Sequence, residues 1–312
     1  MRYTAGYPFG LSRACFGKER GRKMKRRRQN IFYLALLMPA VILFVVFFII
    51  PVVQSLWLSF TDSYGMKTSY HLVGAANYQE AFTDKSFLKT IGVTLKYAIL
   101  VVVPGNILSL ALALLLDSRI RLKAALRTFF FIPNMMSLLV VGYIWLFIYQ
   151  QVVPDLVMGL GGGSIAVLGN KNTVIPALAA VGIWNSAGYY MVIYLAALQG
   201  ISEDLVEAAR IDGASVAQVL RYVKLPLLSP TIITCLILAV ASNMRVFELP
   251  YTMTSGGPVG ASATMVFKIY KTAFNANRNG YAAAQSVILF VIIGGISLVL
   301  NYFMKKREER LQ

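Results

Sequence analysis

The chain has 312 residues, 57% of them hydrophobic and only 14% charged, yet its formal net charge is +17. A soluble domain carries about 25% charged residues, so the basic side chains here must be concentrated on short segments of an otherwise near-neutral, apolar chain. That pattern fits a polytopic membrane protein with basic loops on one side. It excludes a soluble nucleic-acid binder, which would show a basic stripe on a polar domain. Cys15 precedes the first apolar run and Cys235 lies inside another, so neither a disulfide nor a thiolate metal site is expected.

A membrane-spanning helix needs about 20 apolar residues, and six runs qualify. The first covers Ile31 to Phe60, punctuated by Pro39 and Pro51. The others run from about Thr90 to Leu116, Thr128 to Gln150, Val174 to Leu198, Leu225 to Leu249 and Tyr281 to Met304. Basic residues fall before the first run ("KERGRKMKRRR", Lys18 to Arg28) and between the second and third (Arg119, Arg121, Lys123, Arg127). They recur between the fourth and fifth (Arg210, Arg221, Lys224) and after the sixth ("KKREER"). Six spans put all four segments on one side, predicted to be cytoplasmic together with both termini. The other side holds Asp62, Glu80, Asp84 and Asp155, with Lys268, Lys271 and Arg278 softening the contrast.

The expected organisation is a basic cytoplasmic tail (1–30), a six-helix membrane domain (31–304) with a polar loop at 202–226, and a short cytoplasmic tail (305–312). The first tail lacks the small-residue cleavage pattern of a signal peptide and reads as a topology anchor at anionic lipid headgroups.

Catalytic chemistry is missing from the sequence. Gly17-Lys18-Glu19 lacks the Ser or Thr of a phosphate loop, and "GLGGGS" at Gly159 to Ser164 reads as a flexible turn. The single histidine, His71, cannot build a catalytic or metal constellation alone. No catalytic residue, cofactor or metal is therefore expected in this chain, which is not expected to be an enzyme. Any uphill work must draw on another chain or an ion gradient.

The polar interruption "EAARIDGASVAQVLRYVKLPLLSP", Glu207 to Pro230, is the most informative segment. Ser202 can cap a short amphipathic helix over Glu203 to Asp212, with Glu203 and Asp204 at its positive end. Gly213 breaks that helix or admits a close backbone approach. A second helix, Ala214 to Val223, leads to Leu225-Pro226, expected to turn the chain into the fifth span. Ala208, Ala209 and Ala214 leave one side thin enough to enter a groove on a partner. The acidic Glu203, Asp204, Glu207 and Asp212 argue against a helix lying on anionic lipid.

"EAARIDGAS" followed by "LPLLSP" resembles the EAA loop of ATP-binding cassette importer permeases, with Glu207, Ala208, Ala209, Gly213, Leu225 and Pro226 filling the motif. Gly74 to Tyr97, Tyr251 to Phe274 and "GYAAAQSVILF" resemble the carbohydrate-uptake subfamily that includes maltose-type and glycerol-phosphate-type membrane subunits. The resemblance covers nearly everything from Ile31 onward. It implies an all-α, type I importer permease, with Glu207 to Gly213, Asp212 included, as the coupling helix seated in a cytoplasmic ATPase. It implies a second, similar permease, two ATPase subunits that bind ATP and Mg, and an extracytoplasmic solute-binding protein. It also implies the plasma membrane of a bacterium or archaeon.

Substrate residues are sought near mid-membrane, where polar side chains are costly. The fourth run offers Trp184, Asn185, Ser186, Tyr189 and Tyr190, and the fifth Asn243, Arg245 and Glu248. Aromatic faces with amides and hydroxyls suit a sugar. By the resemblance, Tyr189, Ser186 and Asn243 fall on substrate-contacting positions, while Val246 and Ala239 replace the family's Asn and Ser. Arg245 and Glu248 are expected to pair on one helical face, with Arg245 pointing away from Asn243. The alternative is that Arg245 selects an anionic substrate, a uronate or a phosphorylated polyol. A rival class, the secondary transporter, would need an intramembrane coupling carboxylate, for which Glu248 is the one candidate.

Overall fold

Long apolar runs without internal polar breaks form helices, and prolines decide where those helices deform. The computed structural model describes Tyr33 and residues 36–65, 70–118, 122–163 and 166–308, with the backbone alone from 303 onward. The predicted basic tail over 1–30, together with Arg119 and Arg121, lies outside the described residues. Among the described residues, six helices are long and apolar enough to cross a membrane. They are α1 (Leu36–Leu58), α3 (Lys85–Asp117), α5 (Leu138–Gly159), α6 (Val174–Gln199), α8 (Val216–Asn243) and α10, whose span is Asn279–Tyr302. Shorter helices are α2 (Ala76–Thr83), α4 (Lys123–Met135), α7 (Glu203–Ile211) and α9 (Met265–Tyr270).

The chain divides into two units, Met1–Trp57 and Leu58–Gln312. In the first, α1 buries none of its side chains and is apolar all round, the signature of a span rather than of a soluble amphipathic helix. In the second, α3 and α6 pack along their length. One apolar cluster joins Tyr97, Val101, Leu178 and Val181, and a second joins Leu116, Met191, Tyr194 and Leu228. The buried Tyr194 hydroxyl donates to Asn106 Oδ1 at 2.7 Å, tying α6 to α3.

Wide π turns occupy Val45–Ile49, Ile148–Val152 and Leu220–Lys224. Each ends two residues before a proline: Pro51, Pro154 and Pro226. A proline ring crowds the carbonyl four residues back and supplies no N–H to it. Widening the preceding turn relieves that crowding while the helix continues. This corrects two sequence expectations. Leu225-Pro226 does not turn the chain, because α8 runs unbroken from Val216 to Asn243. The second short helix is also brief, Val216–Val219, before the π turn takes over.

The third predicted span, 128–150, proves to be two helices. α4 ends at Met135, Met136 and Ser137 are extended, and the spanning helix α5 starts at Leu138. Continuous hydropathy hid this break. Pro133 weakens the end of α4, and its carbonyl accepts a hydrogen bond from Asn185 Nδ2 of α6 at 2.7 Å. Gly188 is the close-approach residue of this contact, since a Cβ there would collide with the Phe130 backbone.

Ion pairs mark opposite ends of α3. Near its start Arg278 forms a two-pronged pair with Glu80, both bonds 2.6 Å, and Lys268 lies 3.9 Å from Asp84. The Glu80 hydrogen bond holds the Arg278 guanidinium above its usual pKa. Near its end Lys224 reaches Asp117 at 2.7 Å.

Candidate functional site

The fifth predicted span stops early. α8 ends at Asn243, and the chain turns through Met244 and Arg245 before rewinding near Glu248. Pro250, in the first turn of the rewound segment, cannot donate to the carbonyl of Val246 four residues back. That carbonyl accepts instead from Thr264 Oγ1 at 2.9 Å, so the segment after Asn243 is held open by a side chain.

The break creates a cavity of about 350 Å³ between α3, α5, α6 and the unwound segment. Asn185 and Ser186 line it from α6, with Tyr190 one turn further on. Ser242, Asn243, Arg245, Val246 and Glu248 line it from the other side, and Tyr97 contributes from α3. Asn185 and Asn243 each use one amide N–H on a backbone carbonyl, Pro133 and Ala239 respectively. The Ser186 hydroxyl donates to Gly182 at 2.8 Å. Both amide oxygens are left as acceptors for a guest.

Five of the seven sequence-predicted substrate residues line this cavity: Asn185, Ser186, Asn243, Arg245 and Val246. Trp184 and Tyr189 lie outside its wall. Trp184 meets Trp145 edge-on at 5.6 Å, and Tyr189 meets Tyr190 edge-on at 5.1 Å. Tyr190, named by the sequence among the mid-span residues but not among its substrate residues, also lines the wall, and Tyr97 and Ser242 were not singled out. Tyr97 could not have been, since only folding brings α3 beside the break.

The expected Arg245–Glu248 pair does not form. Among the described residues the ion pairs are those of Lys224, Lys268 and Arg278. Arg245 Nε donates to the carbonyl of Ala241 at 2.8 Å. Arg245 also shares the cavity with Asn243 rather than facing away from it. Regular helical spacing fails for both expectations because the helix ends at Asn243 and the chain is helical again only from Glu248.

At the other end of α8 the polar loop forms an exposed knob. Ser202 Oγ caps α7 by accepting from the Asp204 N–H at 3.3 Å. Gly213 has φ +83 with no atom within 4 Å of an added Cβ, so of its two sequence readings the helix-breaking one holds within this chain. Its N–H donates to Arg210, and that of Ala214 donates to Ala209. These two bonds form the left-handed glycine stop of a Schellman motif. Ser215 and Gln218 then build a reciprocal capping box. Glu207, Ala208 and Asp212 are exposed, Ala209 is half-buried, and Leu205, Ile211 and Val216 add exposed apolar surface. Leu225 and Pro226 are half-buried at the foot of the knob.

Six spans, a polar cavity at a broken helix and an exposed knob at that helix's other end define a membrane transport permease. Residues 105–310 match the family described as "Binding-protein-dependent transport system inner membrane component", and the chain belongs to that family. It is 32% identical over 292 residues to a probable starch degradation products transport system permease of Thermoanaerobacterium thermosulfurigenes, covering 92% of this chain and 98% of the relative. It is 34% identical to a multiple sugar-binding transport system permease of Streptococcus mutans, covering 86% and 93%. Its fold matches a bacterial ABC transporter involved in import of the acidic polysaccharide alginate, with TM-score 0.80, 22% identity and coverage of 91% and 99%. The chain is a permease subunit of an ABC importer, a transport component rather than an enzyme.

Proposed function

We propose that this chain lines the path of a carbohydrate across a bacterial or archaeal plasma membrane, with both termini cytoplasmic. It would pair with a second, similar permease, receive substrate from an extracytoplasmic binding protein and be driven by two ATPase subunits. ATP and Mg would be held by those ATPases, with no cofactor in this chain. The observation that carries the reading is the cavity at the broken fifth span, where Asn185, Ser186 and Asn243 converge with the tyrosine rings Tyr97 and Tyr190. Amides and hydroxyls beside aromatic faces suit a polyhydroxylated ring, and the starch-product and sugar permeases among its relatives support that substrate class.

Coupling would run through the knob. Glu207 is exposed, has no acidic or basic partner among the described residues, and sits on a thin, alanine-bearing helix. A basic residue of the ATPase would complete its charge. Closure of the ATPase dimer would then move α7 and, through α8, re-aim the broken segment in an alternating-access cycle. Glu207→Lys should leave membrane insertion intact while weakening co-purification of the ATPase and substrate-stimulated ATP hydrolysis. Wild-type levels of both would remove Glu207 from the coupling contact.

A second reading is favoured by one feature: Arg245, an exposed residue of the cavity lining, has no carboxylate partner among the described residues. An acidic saccharide or phosphorylated polyol would supply one. Competition of uptake by a uronate oligosaccharide against its neutral counterpart separates the two readings.

A further inference from the structure

α3 ends on an acid. Asp117 is its last residue, with Ser118 as C-cap and no basic residue in the final turn. A carboxylate there meets the negative end of the helix dipole, which disfavours it. What holds it in place comes from outside the helix. Lys224 Nζ donates to Asp117 Oδ2 at 2.7 Å, and Lys123 Nζ donates to the Asp117 carbonyl at 3.4 Å. The Lys224 and Asp117 side chains are only 23% and 22% exposed, so their attraction is less screened than that of a fully solvated pair.

Lys224 occupies a mechanically sensitive position. It is the last residue of the π turn Leu220–Lys224, between the capping box of the knob and Pro226. A widened turn ahead of a proline is where a helix bends most readily, and the ion pair pins that turn to α3. Apolar packing of Leu116 and Leu228 also joins the two helices. That packing is non-directional, whereas the ion pair fixes which residue faces which. From the pair, each helix leads to one wall of the cavity. Tyr97 lies about 30 Å away along α3, and Asn243 about 28 Å away along α8.

We propose that Asp117 and Lys224 form a coupling latch that makes α3 follow the knob. The Tyr97 wall and the Asn243 wall of the cavity then move together, instead of α8 swinging alone. Both are positioning residues, since neither lines the cavity. The inference rests on the coupling reading of the knob above and adds a second path from the knob to the cavity.

The test uses the complete complex in proteoliposomes, with its ATPases and binding protein. An environment-sensitive fluorophore is attached to a cysteine replacing Lys96, beside Tyr97 on α3, or Ser242, at the end of α8; both residues are exposed. Cys15 is replaced by Ser, and Cys235 is buried. Trapping the ATPase dimer with ATP and vanadate should shift the emission at both positions. In Asp117→Asn and in Lys224→Gln the shift at position 242 should persist and the shift at position 96 should be lost. Exchanging the two residues, Asp117→Lys with Lys224→Asp, should bring it back. Complex yield and unstimulated ATP hydrolysis report assembly. Loss of assembly in both neutral variants overturns the latch, because the pair is then structural. Retention of both shifts overturns it, as does loss of both, which would mean that the pair only shapes the knob. No recovery in the exchanged chain, or a shift at one position alone in the chain that keeps Asp117 and Lys224, overturns it as well. Glu207→Lys separates these failures from that of the underlying reading, since it should abolish both shifts. If it abolishes neither, or if neither position shifts with Glu207 in place, the coupling reading falls and the latch with it.

Discussion

Arg245 and Glu248 stand three residues apart and share one cavity without meeting. Arg245 spends one donor on the Ala241 carbonyl, and Glu248 accepts a long 3.4 Å bond from the neighbouring Phe247 N–H. Both line the same cavity without pairing, so on the proposed reading each would act on an entering substrate rather than on the other. Arg245→Met and Glu248→Gln should therefore each alter uptake, and the double variant should show no recovery over the worse single one. Uptake in proteoliposomes reads this directly, and a double variant restored to near wild type would show that the pair forms during the cycle. Asn243→Ala should raise the half-saturating substrate concentration roughly five- to tenfold, the effect of one lost hydrogen bond. At this scale the sequence was informative about position. The general cost of polar groups in lipid pointed to Asn185, Ser186 and Asn243. It could not say which tyrosine turns inward, because Tyr189 and Tyr190 are adjacent and only the packing of α6 separates them.

Helices in this protein keep going where soluble-protein rules would stop them. Pro51, Pro154 and Pro226 each lie inside a continuing helix, with a π turn just ahead. Where the chain does stop, a particular interaction holds the end. Thr264 claims the carbonyl freed by Pro250, Asn185 claims that of Pro133, and Gly213 closes α7 in the left-handed region. Hydropathy alone reported six runs correctly but merged α4 with α5 and overran Asn243, since Phe, Ile and Val are equally apolar on both sides of each break. Gly213 gives a test of how the knob is built. Its added Cβ would meet nothing, so size is not what forbids a side chain there. A β-branched residue at this φ costs about 1–2 kcal/mol or more, whereas Asn tolerates the region. Gly213→Val should loosen the knob and lower substrate-stimulated ATP hydrolysis, while Gly213→Asn should stay close to wild type. Equal damage from both would mean that the partner, not the backbone, needs the glycine bare.

At the scale of the larger unit, residues 58–312, the ion pairs, the knob and the cavity are spread along the lengths of α3 and α8. Glu80 and Arg278 meet beside the start of α3, whereas Asp117 and Lys224 meet at its end. The knob adjoins the second pair, and the cavity lies at the far end of α8 from it. Most of this plan was legible before folding, because membrane thickness fixes helix length and side-chain charge biases orientation. Orientation itself depends on the Lys and Arg count of the loops, and it predicts a labelling pattern. A single cysteine replacing Asp212 in the knob should react with an impermeant maleimide only when the cytoplasmic face is open. One replacing Asp155, late in α5, should react from outside in intact cells. The native Cys235 is buried and Cys15 can be replaced by Ser, so neither confuses the readout. Reaction of positions 155 and 212 from the same side would break the alternation. It would require the chain between them, in which α6 is 26 residues long, to re-enter rather than cross.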